Sequence, residues 1–304
     1  MLNTATLKKY LPISDLDKLW GFHINNVGST DIKKDSVYPP IGHPGSHMFS
    51  WEKGRVLDEY QLVLVTEGKG IFESDTAGTI KINAGDGLLI FPGEWHRYKP
   101  ETKTGWTEYW IGFSGKIPDA IMADFFDKKQ PVIKKCATVE AINQLNLIFQ
   151  FIREEPFGFQ RLASANGMKL LALIYNAKQN GSATKSQASW IGEAKNHLHH
   201  HINNNIDFQQ MAEEIGISYS TFRRDFKHHT GLAPLQYHLL LKIEKAKELL
   251  INTDLKVKEI AYQLGFESDF YFCRIFKQKT ALSPVQFRTK RSALLVLNDI
   301  CYKT

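Results

Sequence analysis

The chain has 304 residues, of which 43% are apolar and 23% are charged, and its formal net charge is +6. This composition is typical of a soluble globular protein of about two domains, and the modest positive charge favours an anionic partner only weakly. No apolar run reaches 18 residues, no signal-peptide pattern is seen at the N-terminus, and three distant cysteines form no CxxC pair. These features argue against membrane spans and a secreted disulfide scaffold, so we expect a cytoplasmic protein.

The first part of the chain, from about Phe22 to Phe113, is predicted to consist of short β-strands. Runs rich in Val, Ile and aromatic residues, such as YQLVLVTEGKGIFES and TIKINAGDGLLIFPGEWHRY, are broken by Gly, Pro and Asp. Short strands with regular turn signals predict a sandwich or a barrel.

Helical periodicity begins after Pro118. Ile142, Leu145, Phe149 and Ile152 share one face of a predicted helix, and a second apolar face runs from Leu162 to Tyr175. The polar segment KQNGSATKSQAS that follows has no apolar anchors, and it predicts a flexible linker.

The last third of the chain repeats itself. DFQQMAEEIGISYSTFRRDFKHHTGLAPLQY begins at Asp207, and LKVKEIAYQLGFESDFYFCRIFKQKTALSPVQF begins at Leu255. Gly216 pairs with Gly265 at a shift of 49 (265 − 216), and Phe226 pairs with Phe276 at a shift of 50 (276 − 226). Two units built to one plan are therefore predicted.

Each copy has the pattern of a helix-turn-helix. In the first copy Gly216 ends one helix, Ser218 can cap the next, and Phe222 and Phe226 face the core. The second helix of such a unit enters the major groove, where an arginine fork can bond both acceptors of guanine. The residues expected to face outward are Tyr219, Ser220, Arg223, Arg224 and Lys227 in the first copy, and those expected to face outward or partly outward in the second are Asp269, Phe270, Cys273, Arg274 and Lys277.

A long helix, from Leu235 to Leu250, is predicted between the copies. A rigid helix there would fix the separation of two groove-reading helices, and adjacent major-groove faces lie about 34 Å apart. The alternative interpretation is that the outward arginines are solvated surface charges.

The stretch from Asp207 to Arg288 closely resembles the C-terminal domain of the AraC/XylS family of bacterial transcription regulators. The residues TDLKVKEIAYQLGFESDFYFCRIFKQKTALSPVQFR carry this resemblance, which departs from the common pattern at Phe270 and Ala281. It implies two helix-turn-helix units on adjacent major grooves. Ser220, Arg223 and Arg224 would read bases in the first unit, and Asp269, Phe270, Cys273 and Arg274 in the second.

The segment GDGLLIFPGEWHRY resembles the cupin-like ligand-binding domain of sugar-responsive members of the same family. Cupin enzymes hold a metal with an HxH pair, a Glu and a later His. Here His96 could be the later ligand, but the earlier strand, EYQLVLVTEG, has no HxH. We therefore predict no metal and no cofactor, with a metal-dependent cupin enzyme kept as an alternative.

Aromatic residues concentrated before and within TEYWIGF suggest a saccharide site, because sugars stack their C–H faces on Trp and Tyr. Side chains alternate along a strand, so Glu108 and Trp110 share one face, while Tyr109, Ile111 and Phe113 share the other. The alternative is ordinary barrel core. Together with similarity to sugar-sensing relatives, this predicts a ligand set of Arg55, Trp95, His96, Tyr98, Glu108 and Trp110.

Two other features have plainer interpretations. His197 and His201 have metal-ligand spacing on a helix, but no carboxylate or Cys joins them in the sequence, so a solvated helix face is expected. Cys273 is interpreted as a small residue facing the groove and not as a reactive thiol.

The sequence thus predicts a multidomain α+β protein that is a DNA-binding transcription activator and not an enzyme. Its expected partners are double-stranded DNA, a sugar-like effector, a second copy through the apolar faces at 142–152 and 162–175, and RNA polymerase; no membrane is involved. A ligand-independent DNA-binding regulator is the other alternative. The predicted domains are a cupin-like barrel (1–118), a helical dimerisation segment (119–178), a linker (179–189) and a double helix-turn-helix domain (190–291).

Overall fold

The computed structural model describes residues 8–36, 38, 50–179 and 185–290. The chain divides into two compact units, Met1–Ser182 and Ala183–Thr304. None of the helices in these described segments has the length and hydropathy needed to cross a membrane.

The N-terminal unit is built on antiparallel strands, as the sequence predicts. Their sheet order is β1-β2-β7-β3-β5-β8, and the second half of β3 also pairs with β4 and β6. The strands are β1 (Lys8–Tyr10), β2 (His23–Ile32), β3 (Tyr60–Ser74), β4 (Gly78–Asn83), β5 (Gly87–Ile90), β6 (His96–Pro100), β7 (Trp106–Ser114) and β8 (Val132–Ile133).

Strand β3 links the two halves of this barrel. Its first part pairs with β5 and β7, and its last part, from Lys69 onward, pairs with β4 and β6. The change follows a bulge between Val65 and Glu67 and a glycine, Gly68, with φ of 81°. A Cβ on Gly68 would lie 2.0 Å from the Gly105 carbonyl oxygen, so only glycine fits this bend.

The two faces of β7 belong to two separate apolar clusters, as side-chain alternation predicts. Tyr109, Ile111 and Phe113 face outward into a core shared with the helices, whereas Trp106 and Trp110 lie in the barrel interior. The helices described beside the sheet are α1 (Asp15–Trp20), α2 (Lys116–Phe125), α3 (Val139–Glu154) and α4 (Phe159–Gln179).

Helix α4 is fastened to β2 by one buried side chain. The Gln160 amide accepts a hydrogen bond from the Ile24 N–H (3.2 Å) and donates one to the Ile24 carbonyl (2.9 Å). Both polar backbone groups of Ile24 are thereby satisfied beneath the helix.

Of the two helix faces predicted to form a dimer surface, that of α3 is instead part of the core of its own unit, whereas Leu162 at the start of the second face is 42% exposed. Leu145, Ile148 and Ile152 of α3 are fully or almost fully buried against the sheet. Periodicity shows that a face is apolar but not what covers it, and here the barrel covers it. Strand β8 also pairs with β5, so residues 119–178 belong to the same compact unit as the barrel.

The C-terminal unit is helical. Of the predicted linker, residues 180–184 lie outside the described residues, and residues 185–189 already belong to the first helix. The helices are α5 (Lys185–His200), α6 (Phe208–Glu214), α7 (Tyr219–Thr230), α8 (Pro234–Asn252), α9 (Val257–Gln263) and α10 (Asp269–Thr280).

Two small cores correspond to the two sequence repeats. Phe222 and Phe226 are fully buried in the first core, and Phe272 and Phe276 in the second. Helix α8 contributes to both, because Tyr237 packs on the first core and Ile243 lies in the second. The long helix predicted between the two helix-turn-helix repeats is therefore present.

The turns repeat as well. The Ser218 hydroxyl accepts a hydrogen bond from the Thr221 N–H, and Ser268 accepts one from Tyr271. Gly216 and Gly265 both have positive φ, at 78° and 66°. These are the helix-turn-helix features that the sequence predicts.

Candidate functional site

The interior face of β7 carries Trp106, Glu108 and Trp110. Glu108 lies between Thr30 of β2 and Val65 of β3 in the strand register. Trp110 lies opposite Gly28, where an added Cβ would be 2.1 Å from the indole ring. The ring therefore lies directly on the backbone of β2, and the glycine leaves the space for it.

Arg55 joins this interior from the loop before β3. Its backbone pairs with His96 in an isolated antiparallel bridge. Its guanidinium donates from Nε to His96 Nε2 (3.1 Å) and from Nη2 to the Tyr98 hydroxyl (2.9 Å), and it lies over the Tyr98 ring. The structure thus brings three of the predicted ligand residues into direct contact.

The hydrogen bonds of His96 determine its protonation. Nδ1 lies 3.0 Å from the Glu94 carbonyl, which can only accept, so Nδ1 carries the proton and Nε2 accepts from Arg55. Burial, together with the Arg55 charge, lowers the pKa of His96 to about 4. The neutral imidazole therefore orients the Arg55 guanidinium.

Glu108 is buried within the same interior. Burial raises its pKa to about 7, although the Arg55 charge acts in the opposite direction. Oε2 of Glu108, Nε1 of Trp106 and Oγ1 of Thr30 are buried atoms that have no hydrogen-bond partner among the described residues. A weak hydrogen-bonding interaction with the Trp106 side chain also lowers the pKa of Glu108, although Nε1 does not reach hydrogen-bond geometry with any described acceptor. The interior thus holds acceptor and donor groups that are not yet satisfied.

A polar network lies behind Arg55, and the sequence analysis missed it. Gln61 Oε1 is 3.5 Å from Arg55 Nη2, and Gln61 Nε2 donates to Glu59 (3.0 Å). Glu59 also accepts from the side-chain amides of Asn25 and Asn26, each at 2.6 Å. Gln61 within the apolar run YQLVLV was the available signal, because a polar residue there needs a partner.

Tyr38 was also missed. Its ring lies 6.4 Å from those of Tyr98 and Trp106, between centroids. No strand pattern surrounds it in the sequence, so alternation could not place it.

Trp95 does not join the other predicted ligand residues. It directly precedes β6, and its Nε1 donates to the Lys53 carbonyl (2.8 Å) beside Gly54. Arg97 lies over its ring, and Arg97 itself packs on Trp51 and pairs with Glu73. This cluster is on the opposite face of β6 from His96 and Tyr98.

The donor set of the barrel does not resemble a metal centre. In the described part of the chain no group of three or more His, Cys, Asp and Glu residues is arranged to hold a metal ion. The one predicted donor, His96 Nε2, is engaged by Arg55. The ring centroids of His197, on α5, and His201, which directly follows this helix, lie 4.4 Å apart.

The two recognition helices, α7 and α10, present their predicted residues at the surface. Ser220, Arg223, Arg224 and Lys227 are exposed on α7. On α10 Phe270, Arg274 and Lys277 are exposed, while Asp269 and Cys273 are half-buried. These side chains are available to DNA, and their contacts with bases remain a prediction.

One predicted base-reading residue already has a partner. Arg224 Nε donates to Asp225 Oδ1 (2.8 Å), although the Arg224 side chain stays 71% exposed. A surface ion pair of this kind contributes only about 0–1 kcal/mol, so it can be exchanged for a DNA contact at little cost.

Comparison with known proteins agrees with both halves of this description. Residues 44–171 match the AraC-like ligand binding domain, and residues 211–290 match the Helix-turn-helix domain. The chain is 24% identical over 240 residues to the Msm operon regulatory protein of Streptococcus mutans, with 77% of this chain and 85% of the relative covered.

Two further relatives are named as activators. The Lactose operon transcription activator of Staphylococcus xylosus is 26% identical over 244 residues, which cover 77% of this chain and 85% of the relative. The HTH-type transcriptional activator RhaS of Salmonella dublin is 30% identical over 159 residues, which cover 51% and 57% of the two chains. With a ligand-binding domain of the AraC type ahead of a DNA-binding helix-turn-helix domain, the chain belongs to the AraC family of transcription regulators.

Proposed function

We propose that the chain is a transcription activator whose placement on DNA is controlled by a neutral saccharide bound inside the barrel. The observation that carries this proposal is the set of unsatisfied buried polar atoms of Thr30, Trp106 and Glu108 in the barrel interior. A carboxylate oxygen, an indole N–H and a hydroxyl without partners each cost about 1–3 kcal/mol when buried. A polyhydroxylated ligand can pair with all three.

The arrangement favours a neutral ligand over an acid. Arg55 is already engaged by the neutral groups of His96 and Tyr98, and Glu108 would repel a second carboxylate. The Trp110 indole in the same interior offers a flat surface for a sugar ring.

A thermal-shift and calorimetry screen with neutral sugars, uronic acids and amino sugars tests this assignment. A ligand that binds only the folded state stabilises it by about 2.7 kcal/mol at a concentration of 100 Kd. We expect a neutral sugar to raise the melting temperature and Glu108→Gln to weaken its binding at least about tenfold, which corresponds to one lost charged hydrogen bond.

Trp95→Phe is the matched control, because Trp95 lies on the other face of β6 and its loss should leave sugar affinity unchanged. If no neutral sugar at millimolar concentration stabilises the protein, or if both variants lose affinity equally, the barrel assignment is wrong.

The DNA-reading half of the proposal rests on Arg223. Arg223→Ala is expected to weaken binding to the preferred site by about 1–3 kcal/mol and to relax selection at one base pair. Lys227 lies one turn further along α7. If it contacts phosphate, Lys227→Ala should weaken binding to all DNA sequences alike. Equal loss on every sequence from Arg223→Ala would contradict base reading.

Three further elements belong to the proposal. The protein acts in the cytoplasm as a homodimer, for which the exposed Leu147 (41%) and Leu162 (42%) of α3 and α4 remain available. It recruits RNA polymerase at its promoter. The segment predicted as a linker lets the DNA-binding unit change its placement when the sugar favours one arrangement by a differential affinity. Analytical ultracentrifugation of the purified chain, and of Leu147→Glu, tests the dimer.

A further inference from the structure

The second recognition helix presents an exposed aromatic ring near its start. Phe270 is the second residue of α10, and it is 78% exposed. Residues near the N-terminus of a recognition helix are those that reach base edges. We infer that Phe270 reads thymine methyl groups, so that the second helix-turn-helix unit selects A·T base pairs; this inference rests on the proposed DNA-binding function.

The repeat itself shows that the fold does not require this phenylalanine. At the shift of 50, Phe270 corresponds to Ser220 (270 − 220), and both follow a serine cap. Helix α7 carries the serine and still packs a pair of phenylalanines in its core, as α10 does. The ring at position 270 therefore has no structural duty that serine could not replace.

The surroundings of Phe270 agree with this comparison. Within the described residues its ring makes no contact with another aromatic ring or with a cation, whereas the neighbouring Tyr271 lies near both Phe266 and Arg274. An isolated exposed phenylalanine gains nothing from burial in the free protein.

Its position on the helix places it on the DNA-facing stripe. Phe270, Cys273, Arg274 and Lys277 stand at i, i+3, i+4 and i+7, which is one face of a helix. The buried pair that anchors α10, Phe272 and Phe276, lies outside this stripe.

The chemistry of the major groove determines which base an apolar ring can recognise. Among the four bases only thymine presents an apolar group there, the C5 methyl, and the other edges present donors and acceptors that would lose water against a phenyl ring. One buried methyl-sized group contributes about 0.8 kcal/mol, which is about a fourfold change in affinity.

The corresponding position in the first unit reads by different chemistry. Ser220 and Arg223 offer hydrogen bonds where Phe270 and Cys273 offer apolar surface. The two half-sites of an operator should therefore differ, with thymine enriched at the half-site of α10.

The test uses the full chain and randomised DNA duplexes, selected in the absence and presence of the sugar panel described above. The enriched duplex is then remade with deoxyuridine in place of each thymidine in turn, which removes one methyl group and leaves base pairing intact. Affinity is measured by fluorescence anisotropy for the wild type, Phe270→Ser and Arg274→Ala. Phe270→Ser carries the residue that the first copy already tolerates, and circular dichroism checks its fold.

We expect the wild type to lose about fourfold in affinity at one or two thymines of the α10 half-site. Phe270→Ser should bind the thymine duplex about as weakly as the wild type binds the deoxyuridine duplex, and it should be indifferent to the replacement. Arg274→Ala should remain sensitive to it.

Two results would overturn the inference alone: a wild type that is indifferent to every thymine replacement, or a Phe270→Ser variant that is as sensitive as the wild type. Loss of activation by Phe270→Ser with unchanged DNA selection would assign the ring to a protein partner instead. A selection that enriches no sequence with any sugar overturns the proposed function, and the inference falls with it.

Discussion

Replacing Glu108 by glutamine is expected to stabilise the N-terminal unit at pH 8, although it should weaken sugar binding. The pKa of Glu108 is raised by burial from 4.5 to about 7, so the folded unit binds this proton more tightly than the unfolded chain does. Burying the ionised Glu108 carboxylate costs the folded unit stability. This cost is absent below pH 4.5, grows as the pH rises, and is complete above pH 7. A shift of this size corresponds to about 3 kcal/mol, which glutamine should recover at pH 8.

His96 has the opposite dependence. Its pKa is lowered from 6.5 to about 4, so the unfolded chain takes up a proton first when the pH falls. The contribution of His96 to the free energy of unfolding is fully present above pH 6.5. It is lost as the pH falls toward 4, again by about 3 kcal/mol. Between pH 4.5 and 6.5 the two groups change stability in opposite directions, and in the wild type their contributions cancel.

Single variants should therefore reveal slopes that the wild type conceals. Glu108→Gln should lose stability as the pH falls from 6.5 to 4, because only the His96 contribution remains. His96→Gln should lose stability as the pH rises from 4.5 to 7, because only the Glu108 penalty remains. In the double variant the free energy of unfolding should again be independent of pH over this range.

Urea denaturation at pH 4.5, 5.5, 6.5 and 8 measures these free energies of unfolding. Tryptophan fluorescence reports the transition, since Trp106 and Trp110 lie in the same apolar interior cluster. Glu67→Gln is the matched control, because Glu67 is an exposed glutamate of β3 and its replacement changes the net charge equally. If Glu108→Gln is no more stable than the wild type at pH 8 and its pH profile parallels that of the wild type, burial does not control this carboxyl group.

Other predictions concern the turns and the guanidinium. Gly265→Ala should destabilise the C-terminal unit by about 2–4 kcal/mol, since its φ is positive and its Cβ would lie 2.0 Å from the Asn203 carbonyl oxygen. Gly216→Ala, with a positive φ but open space, should cost only about 1 kcal/mol in the same chemical denaturation, and equal losses would contradict the steric argument. Ala281 has a φ of 63°, so Ala281→Gly should raise the melting temperature of this unit, and an unchanged value would show that the turn is unstrained. Arg55→Lys should weaken sugar binding about tenfold or more in calorimetry, because an ammonium cannot bond His96 and the other acceptors from a planar fork; unchanged affinity would remove Arg55 from the site.

Local rules predicted much of the barrel and failed where contacts are distant in sequence. Alternation along TEYWIGF separated Glu108 and Trp110 from Tyr109, because a strand has only two faces, and the structure shows that Trp110 lies inside the barrel and Tyr109 outside it. The same rule argues against grouping Trp95 with His96, since adjacent residues of an extended chain point to opposite sides. Trp95 is predicted to join the site because it is adjacent to His96 in the sequence, but the two side chains lie on opposite sides of the strand.

The contacts of Arg55 could not be derived from any local pattern. Arg55 and His96 are 41 positions apart, and their pairing depends on how the loop before β3 crosses β6. The network of Glu59 and Gln61 is likewise a tertiary property. A polar residue in an apolar run signals that a partner exists, but only the fold identifies it.

The duplicated module separates the residues that a fold requires from those that are free to serve function. Phe226 and Phe276 are buried, and Thr230 and Thr280 each donate to the carbonyl four residues earlier, so these pairs hold the same structure twice. The two residues of each pair have the same structural role, so one packing argument explains both. Where the copies differ on an exposed stripe, as at Ser220 and Phe270, packing explains neither residue, and we infer that the difference reflects what each helix contacts outside the protein.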